Sequence, residues 1–237
     1  MNKSKPPLSD NKVSTFSGII TMNAFSLLSR FAATATLAAM ALFSPLHAAA
    51  AELPDDQSYA RLAQAQPADQ ADQLEVLEFF AYTCPYCAMF SPYVERWSQD
   101  LPEGTVIKRV PVAFNDSMSD LQRMYYTLEA LNRLDLHNAL FDTLHKDKQE
   151  VFDAQALTQW AVQQGIDEQE FTQAFNSFGV QTKANRANEL VKRYQVEGTP
   201  TLAIGGRYIT SPAMAQGYDE AIEIAQQLLD YSLQQAQ

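Results

Sequence analysis

Cysteine, histidine and basic charge are all scarce in this chain, and each shortage removes a class of function. The 237 residues include two cysteines and three histidines. A structural zinc site takes four such ligands; His137 and His145 sit far along the chain from the cysteines and His47 lies near the start, so no metal is expected. Two cysteines also exclude a framework of several disulfides. Long apolar runs are missing too. Residues 31–43 (FAATATLAAMALF) are thirteen uncharged residues, short of the about 20 that a membrane-spanning helix needs. Arg30 precedes this run, and Ser44-Pro45 and the alanines 48–51 follow it. That is the pattern of a cleaved secretory signal peptide over residues 1–50, with Met22 as the start that gives it an ordinary length. Lys and Arg number 17 against 28 Asp and Glu; taking away the four cations and one anion of residues 1–50 leaves 13 and 27, a net charge of −14. So acidic a surface favours solubility and argues against nucleic acid or anionic membrane as a partner.

What remains is organised by its periodicity. Residues 51–73 form a polar N-terminal extension in which 59–62 suggest a short edge strand. Residues 74–80 (LEVLEFF) read as a buried strand. A helix opens at Cys84-Pro85, with proline where its missing N–H costs nothing, and continues to about Asp100. Residues 105–111 (TVIKRVP) give a second strand, completing a βαβ unit with parallel strands. Residues 117–194 are helical. Leu121, Met124, Tyr125, Leu128 and Leu131 mark one helix and Leu136, Leu140 and Leu144 a second. Asp153 caps a third that stops at Gly165, and Asp167 caps a fourth that stops at Gly179. Ala184, Ala187, Leu190, Val191 and Tyr194 mark a fifth. Residues 201–204 and 207–209 are strands joined by Gly205-Gly206, a hairpin signal, and a last helix covers 213–232. The pattern is a split α/β domain, 74–116 with 195–237, carrying a helical insertion over 117–194.

Both cysteines fall in one motif, Cys84-Pro85-Tyr86-Cys87, at the junction of strand and helix. A bridge across two intervening residues closes too short a loop to stabilise a fold much, so the pair is better suited to chemistry. Cys84, at the helix start, faces unpaired N–H groups that favour a thiolate, and Cys87 lies one turn deeper. Cys84 is therefore the sulfur that reacts with substrates and Cys87 the one that resolves the mixed disulfide. Glu78 is out of place in its apolar strand. A buried carboxyl there would have a raised pKa and could exchange protons with Cys87; a partly wet strand end would leave it merely solvated. Thr199-Pro200 stands at the head of a strand, where proline is either a cis residue facing the site or a plain strand-leading residue.

Taken together, Val76-Leu77-Glu78-Phe79-Phe80, the CPYC motif, and Val196-Glu197-Gly198-Thr199-Pro200-Thr201 after a helical insertion resemble the periplasmic disulfide-bond oxidoreductase A (DsbA) family. Pro111-Val112-Ala113-Phe114 and the segment 206–212 (GRYITSP) add to the likeness. The resemblance implies a thioredoxin-like fold with an inserted all-helical domain, a cis Pro200 facing the dithiol, and a Thr199 that offers its backbone to a bound substrate strand. It also implies that Glu78 is the family's buried acid and that Pro85 and Tyr86 shape the dithiol. The expected activity is that of a monomeric thiol:disulfide oxidoreductase of the Gram-negative periplasm, using the Cys84–Cys87 disulfide and no other cofactor. Its partners would be unfolded or reduced exported proteins, met along an apolar groove near Pro200, and a membrane quinone-linked DsbB-like oxidase that reoxidises it. Tyr86 departs from the histidine of the best-known members and resembles the periplasmic disulfide isomerases, which carry a separate dimerisation domain for which this chain has no room. A disulfide isomerase or reductase of the same fold, and a non-catalytic periplasmic binder or chaperone with a static disulfide, are the alternatives.

Overall fold

A computed structural model describes residues 52–70 and 72–235; the expected signal peptide, residues 1–50, lies outside them. The two-residue strand β1 (Ala60–Arg61) is an edge strand, as its polar surroundings suggest. Strand β2 (Leu74–Phe80) is buried from Glu75 onward, as befits a strand covered on both faces. Helix α1 (Pro85–Ser98) leads to β3 (Thr105–Pro111), which runs parallel to β2 in register from Leu74↔Thr105 to Phe80↔Pro111. The helical block comprises α2 (Ser119–Ala130), α3 (His137–His145), α4 (Ala154–Gln163), α5 (Glu168–Phe175) and α6 (Phe178–Arg193). The chain then forms the hairpin of β4 (Thr201–Ile204) and β5 (Tyr208–Thr210) and ends in α7 (Pro212–Ala215) and α8 (Tyr218–Gln235). The sheet order is β1-β5-β4-β2-β3, with β4 antiparallel to β2.

As far as Phe79, alternation along β2 sorts its apolar side chains into two cores, and Phe80 joins Leu77 and Phe79 in the second. Val76 joins Phe90 and Val94 of α1, Leu202 and Ile204 of β4, and Leu228 and Leu229 of α8. Leu77 and Phe79 face the other way, into a cluster built with Leu121, Met124, Leu128, Leu140, Leu157 and Phe171 of the helical block. The ring of Phe79 meets that of Tyr194 at the end of α6, centroids 5.5 Å apart. The sheet is thus a floor shared by two helical layers, and the carboxyl end of β2 emerges between them.

Three boundaries differ from the sequence expectation. Gly179 does not end the fourth helix: Ser177 accepts a hydrogen bond from the Val180 N–H at 3.2 Å and caps α6, so Gly179 lies in that helix's first turn. A capping hydroxyl offers a helix start a bond that glycine lacks. The closing helix is broken in two, because Gln216 takes a left-handed conformation (φ 65°) before Gly217. Strand β5 is displaced one residue, since both hairpin glycines have positive φ (57° and 65°) and Arg207 completes the turn with an N–H bond of 3.1 Å to the Ile204 carbonyl.

Gly206 also ties down the N-terminal extension. The Gln66 N–H donates to the Gly206 carbonyl at 2.7 Å, and a β-carbon at position 206 would stand 2.0 Å from the Gln66 carbonyl oxygen. Asp69, farther along the extension, pairs with Lys108 and Arg186. Gly206→Ala is therefore expected to lose about 1–3 kcal/mol in chemical denaturation, the usual cost of a side chain in that backbone region, and to make residues 60–70 newly sensitive to protease. Unchanged stability and protection would show that the extension does not depend on this close approach.

Candidate active site

The site begins where β2 ends. Ala81 to Cys84 form a tight turn closed by the Cys84 N–H on the Ala81 carbonyl at 3.0 Å, and the chain enters α1 with Pro85 at its first position. Cys84 is the N-cap, in extended conformation (φ −91°, ψ 113°), and its sulfur accepts from the Cys87 N–H at 3.4 Å. Sulfur thus takes the place that a serine or aspartate oxygen fills at most helix starts. Both thiols are free; Cys84 is half-buried, whereas Cys87 is 1% exposed and packed in the core.

The two thiols are pushed apart in acidity. The side chain of Cys87 acts most strongly on Cys84, followed by the Cys87 amide, with further help from Thr199 and the Tyr86 amide; together they outweigh burial and lower Cys84 to about 6. Burial drives Cys87 upward, and the neighbouring Cys84 adds to the rise. A thiol near 6 is mostly thiolate at neutral pH. The Tyr86 ring is 61% exposed; it is the backbone amide of this residue that helps to lower Cys84.

Thr199 and Pro200 reach the dithiol from the far side of the helical block. Their peptide bond is cis, and the Thr199 carbonyl lies 3.3 Å from the Cys84 sulfur, placed to accept from the protonated thiol. Beside them opens a groove of about 890 Å³ whose lining includes Tyr86, Pro200, Pro212, Met214 and Tyr218. The groove expected near Pro200 therefore has walls from four places: residues 60–62 at the sheet edge with Ile209 of the neighbouring β5, the start of α1, the loop before β4, and the segment from α7 into α8. Tyr218 stacks on Phe90 with centroids 5.7 Å apart, which brings the start of α8 against α1.

Glu78 is not at a wet strand end. It is 1% exposed, and the Nε of Arg109, its register partner on β3, donates to it at 2.9 Å. Burial raises its pKa, and the guanidinium offsets part of that rise. Its hydrogen bond goes to Arg109 and not to Cys87. The sequence reading missed Arg109, although a lone arginine in the strand paired with β2 was the available signal. It also missed Tyr82, two residues before Cys84, whose hydroxyl lies 2.8 Å from His137 Nδ1.

Comparison with known proteins agrees with this geometry. The family model for the DSBA-like thioredoxin domain matches residues 95–228. The thiol:disulfide interchange protein DsbA of Bordetella parapertussis is 44% identical over 201 residues, covering 84% of this chain and 94% of its own. That of Pseudomonas aeruginosa is 31% identical over 198 residues, covering 83% and 93%. The crystal structure of P. aeruginosa DsbA superposes with a TM-score of 0.73 at 30% identity, over 76% of this chain and 94% of that one.

Proposed function

Because the chain belongs to the DsbA family and is a thiol:disulfide oxidoreductase, we propose that it works as an oxidase, donating its Cys84–Cys87 disulfide to exported proteins as they fold in the periplasm. A substrate thiolate attacks the Cys84 sulfur; the sulfur–sulfur bond breaks, and Cys87 leaves and takes up a proton. A second substrate thiolate then attacks the substrate sulfur of the mixed disulfide and expels Cys84 as a thiolate. Substrate loses two electrons and the dithiol gains them, so no further cofactor is needed; a membrane quinone-linked DsbB-like oxidase would restore the disulfide. Thr199 holds the substrate backbone beside Pro200, and Glu78 serves the proton exchange of Cys87, a role supported by its burial and raised pKa. The protein acts as a monomer.

The observation that carries this reading is the place of Cys84 at the start of α1, half-buried, with its sulfur accepting from the Cys87 N–H at 3.4 Å and 3.3 Å from the Thr199 carbonyl, a setting that lowers its pKa to about 6. A disulfide is a strong oxidant when its reduced form is stabilised, and a thiolate held at a helix start does that. It also opposes the static-disulfide reading, which needs an inert Cys84. The exposed Tyr86 favours the second reading, an isomerase or reductase, because a protonated histidine would stabilise the thiolate further.

The test is the equilibrium of Cys84–Cys87 against glutathione on the purified protein. Strong oxidants lie near about −120 mV and thioredoxin near about −270 mV, the first being a reference value for a family member and not one derived from this chain. A potential towards −120 mV is expected. One towards −270 mV would overturn the oxidase and leave a reductase or isomerase.

A further inference from the structure

The chemistry above leaves two histidines of the helical block unused, and both touch the residue that sets up the nucleophile. Tyr82 is an inner residue of the turn whose last member is Cys84, closed by the Cys84 N–H on Ala81. His137, Phe141 and His145 recur every fourth residue along α3, a spacing that lines side chains up on one helical face, and all three meet Tyr82. His137 Nδ1 lies 2.8 Å from the phenol oxygen, and the Phe141 ring lies 5.0 Å from the Tyr82 ring between centroids. His145 Nε2 lies 2.8 Å from the Tyr82 carbonyl oxygen. A carbonyl only accepts, so His145 donates, and Tyr82 is held at both ends.

Two further observations make this more than ordinary packing. The other ring nitrogen of His137, Nε2, is buried without a hydrogen-bond partner among the described residues, so what polar bonding this ring does inside the core goes to Tyr82. The next residue, Asn138, grips α1 beyond the cysteines: Ser91 Oγ donates to Asn138 Oδ1 at 2.8 Å, and Asn138 Nδ2 donates to Glu95 at 2.8 Å. Helix α3 thus fastens the chain on both sides of the dithiol.

We infer that His137 and His145 are positioning residues for Cys84, fixing through Tyr82 the turn that presents its sulfur to the Cys87 amide and the Thr199 carbonyl. The contact they protect is long, 3.4 Å from sulfur to the Cys87 nitrogen, so a small rotation of the turn weakens it. This inference rests on Cys84 being the reacting thiol.

The experiment compares the wild-type protein with His145→Ala, His145→Gln and Tyr82→Phe. The ionisation of Cys84 is followed by thiolate absorbance, alongside the glutathione equilibrium and thermal unfolding. In His145→Gln the amide nitrogen can still donate to the Tyr82 carbonyl. His145→Ala and Tyr82→Phe are expected to raise the Cys84 midpoint by about half a pH unit or more, and to make the disulfide about threefold or more weaker as an oxidant. His145→Gln should stay close to wild type. A merely structural role would lower the melting temperature of His145→Ala and leave the thiolate titration in place; that result overturns the inference, as does an equal shift in the alanine and glutamine variants. A wild-type protein with an ordinary Cys84 titration and a thioredoxin-like equilibrium would instead overturn the oxidase reading itself.

Discussion

Cys84→Ser is expected to abolish oxidation of a dithiol peptide, by about three orders of magnitude or more, as loss of an essential nucleophilic centre does. Cys87→Ser is expected to fail differently. Its Cys84 can still join a substrate sulfur when offered an activated disulfide, but the resolving thiol is gone, so a mixed disulfide should accumulate and show as a covalent adduct in intact mass. The asymmetry follows from burial: Cys84 is half-exposed beside the groove, while Cys87 is sealed in the core. The same pair of variants reads out the thiolate. The reduced wild-type protein has a Cys84 lowered from 9.0 to about 6. A depressed folded-state value means that the unfolded chain binds more protons between those limits. Reduced wild type should therefore gain stability relative to Cys84→Ser as pH rises from about 6 towards 9, and lose that gain as pH falls through 6. Adduct formation at Cys87 in the Cys84→Ser variant, or a pH profile common to both proteins, would reverse the assignment of roles.

How much of this was legible beforehand depended on range along the chain. The dithiol announced itself because cap, proline and both sulfurs fall within four residues, and local rules about helix starts suffice to order them. The helical block was legible through caps such as Asp153 and Asp167, whose oxygens each accept an N–H bond three residues on, at 2.9 Å. Gly179 and the closing helix misled because a glycine and an unbroken apolar period are weaker signals than Ser177 or the left-handed Gln216. The contacts that tune the site were out of reach for another reason. Glu78 and Arg109 are 31 residues apart, Tyr82 and His145 are 63 apart, and Cys84 and Thr199 are 115 apart. Each needs the register of β2 against β3 or β4, or the placement of α3 beside the turn, before it exists, and of the three only the last was pointed to, by the family resemblance at Thr199-Pro200. A periodic reading supplies the elements but not their register. For Glu78 it could say only that a carboxyl had been put where carboxyls are costly.

That cost predicts the second large effect. Glu78 is 1% exposed, and Arg109 is its ion-pair partner at 2.9 Å. Arg109→Met should leave the carboxyl buried and unpaired, and the cheapest escape is for it to take up a proton. Holding a carboxyl of ordinary value 4.5 neutral at pH 7 costs about 3 kcal/mol, at about 1.36 kcal/mol per pH unit. This lies at the lower end of the about 3–5 kcal/mol seen when one member of a buried pair is removed. The sign with pH follows. In the variant the folded chain binds a proton that the unfolded chain has released, so stability falls as pH rises above 4.5. The wild type, whose Glu78 is itself raised, carries part of the same cost, so the deficit relative to it stays below about 3 kcal/mol at pH 7 and should shrink towards pH 5. Adding Glu78→Met to Arg109→Met should restore most of the loss, because two apolar side chains in place of a buried pair leave no charge stranded. Urea midpoints of the four proteins at pH 5 and pH 7 decide the matter. A deficit in Arg109→Met that is the same at both pH values, or that the second substitution does not relieve, would mean that Arg109 stabilises the fold by packing its stem and not by neutralising Glu78.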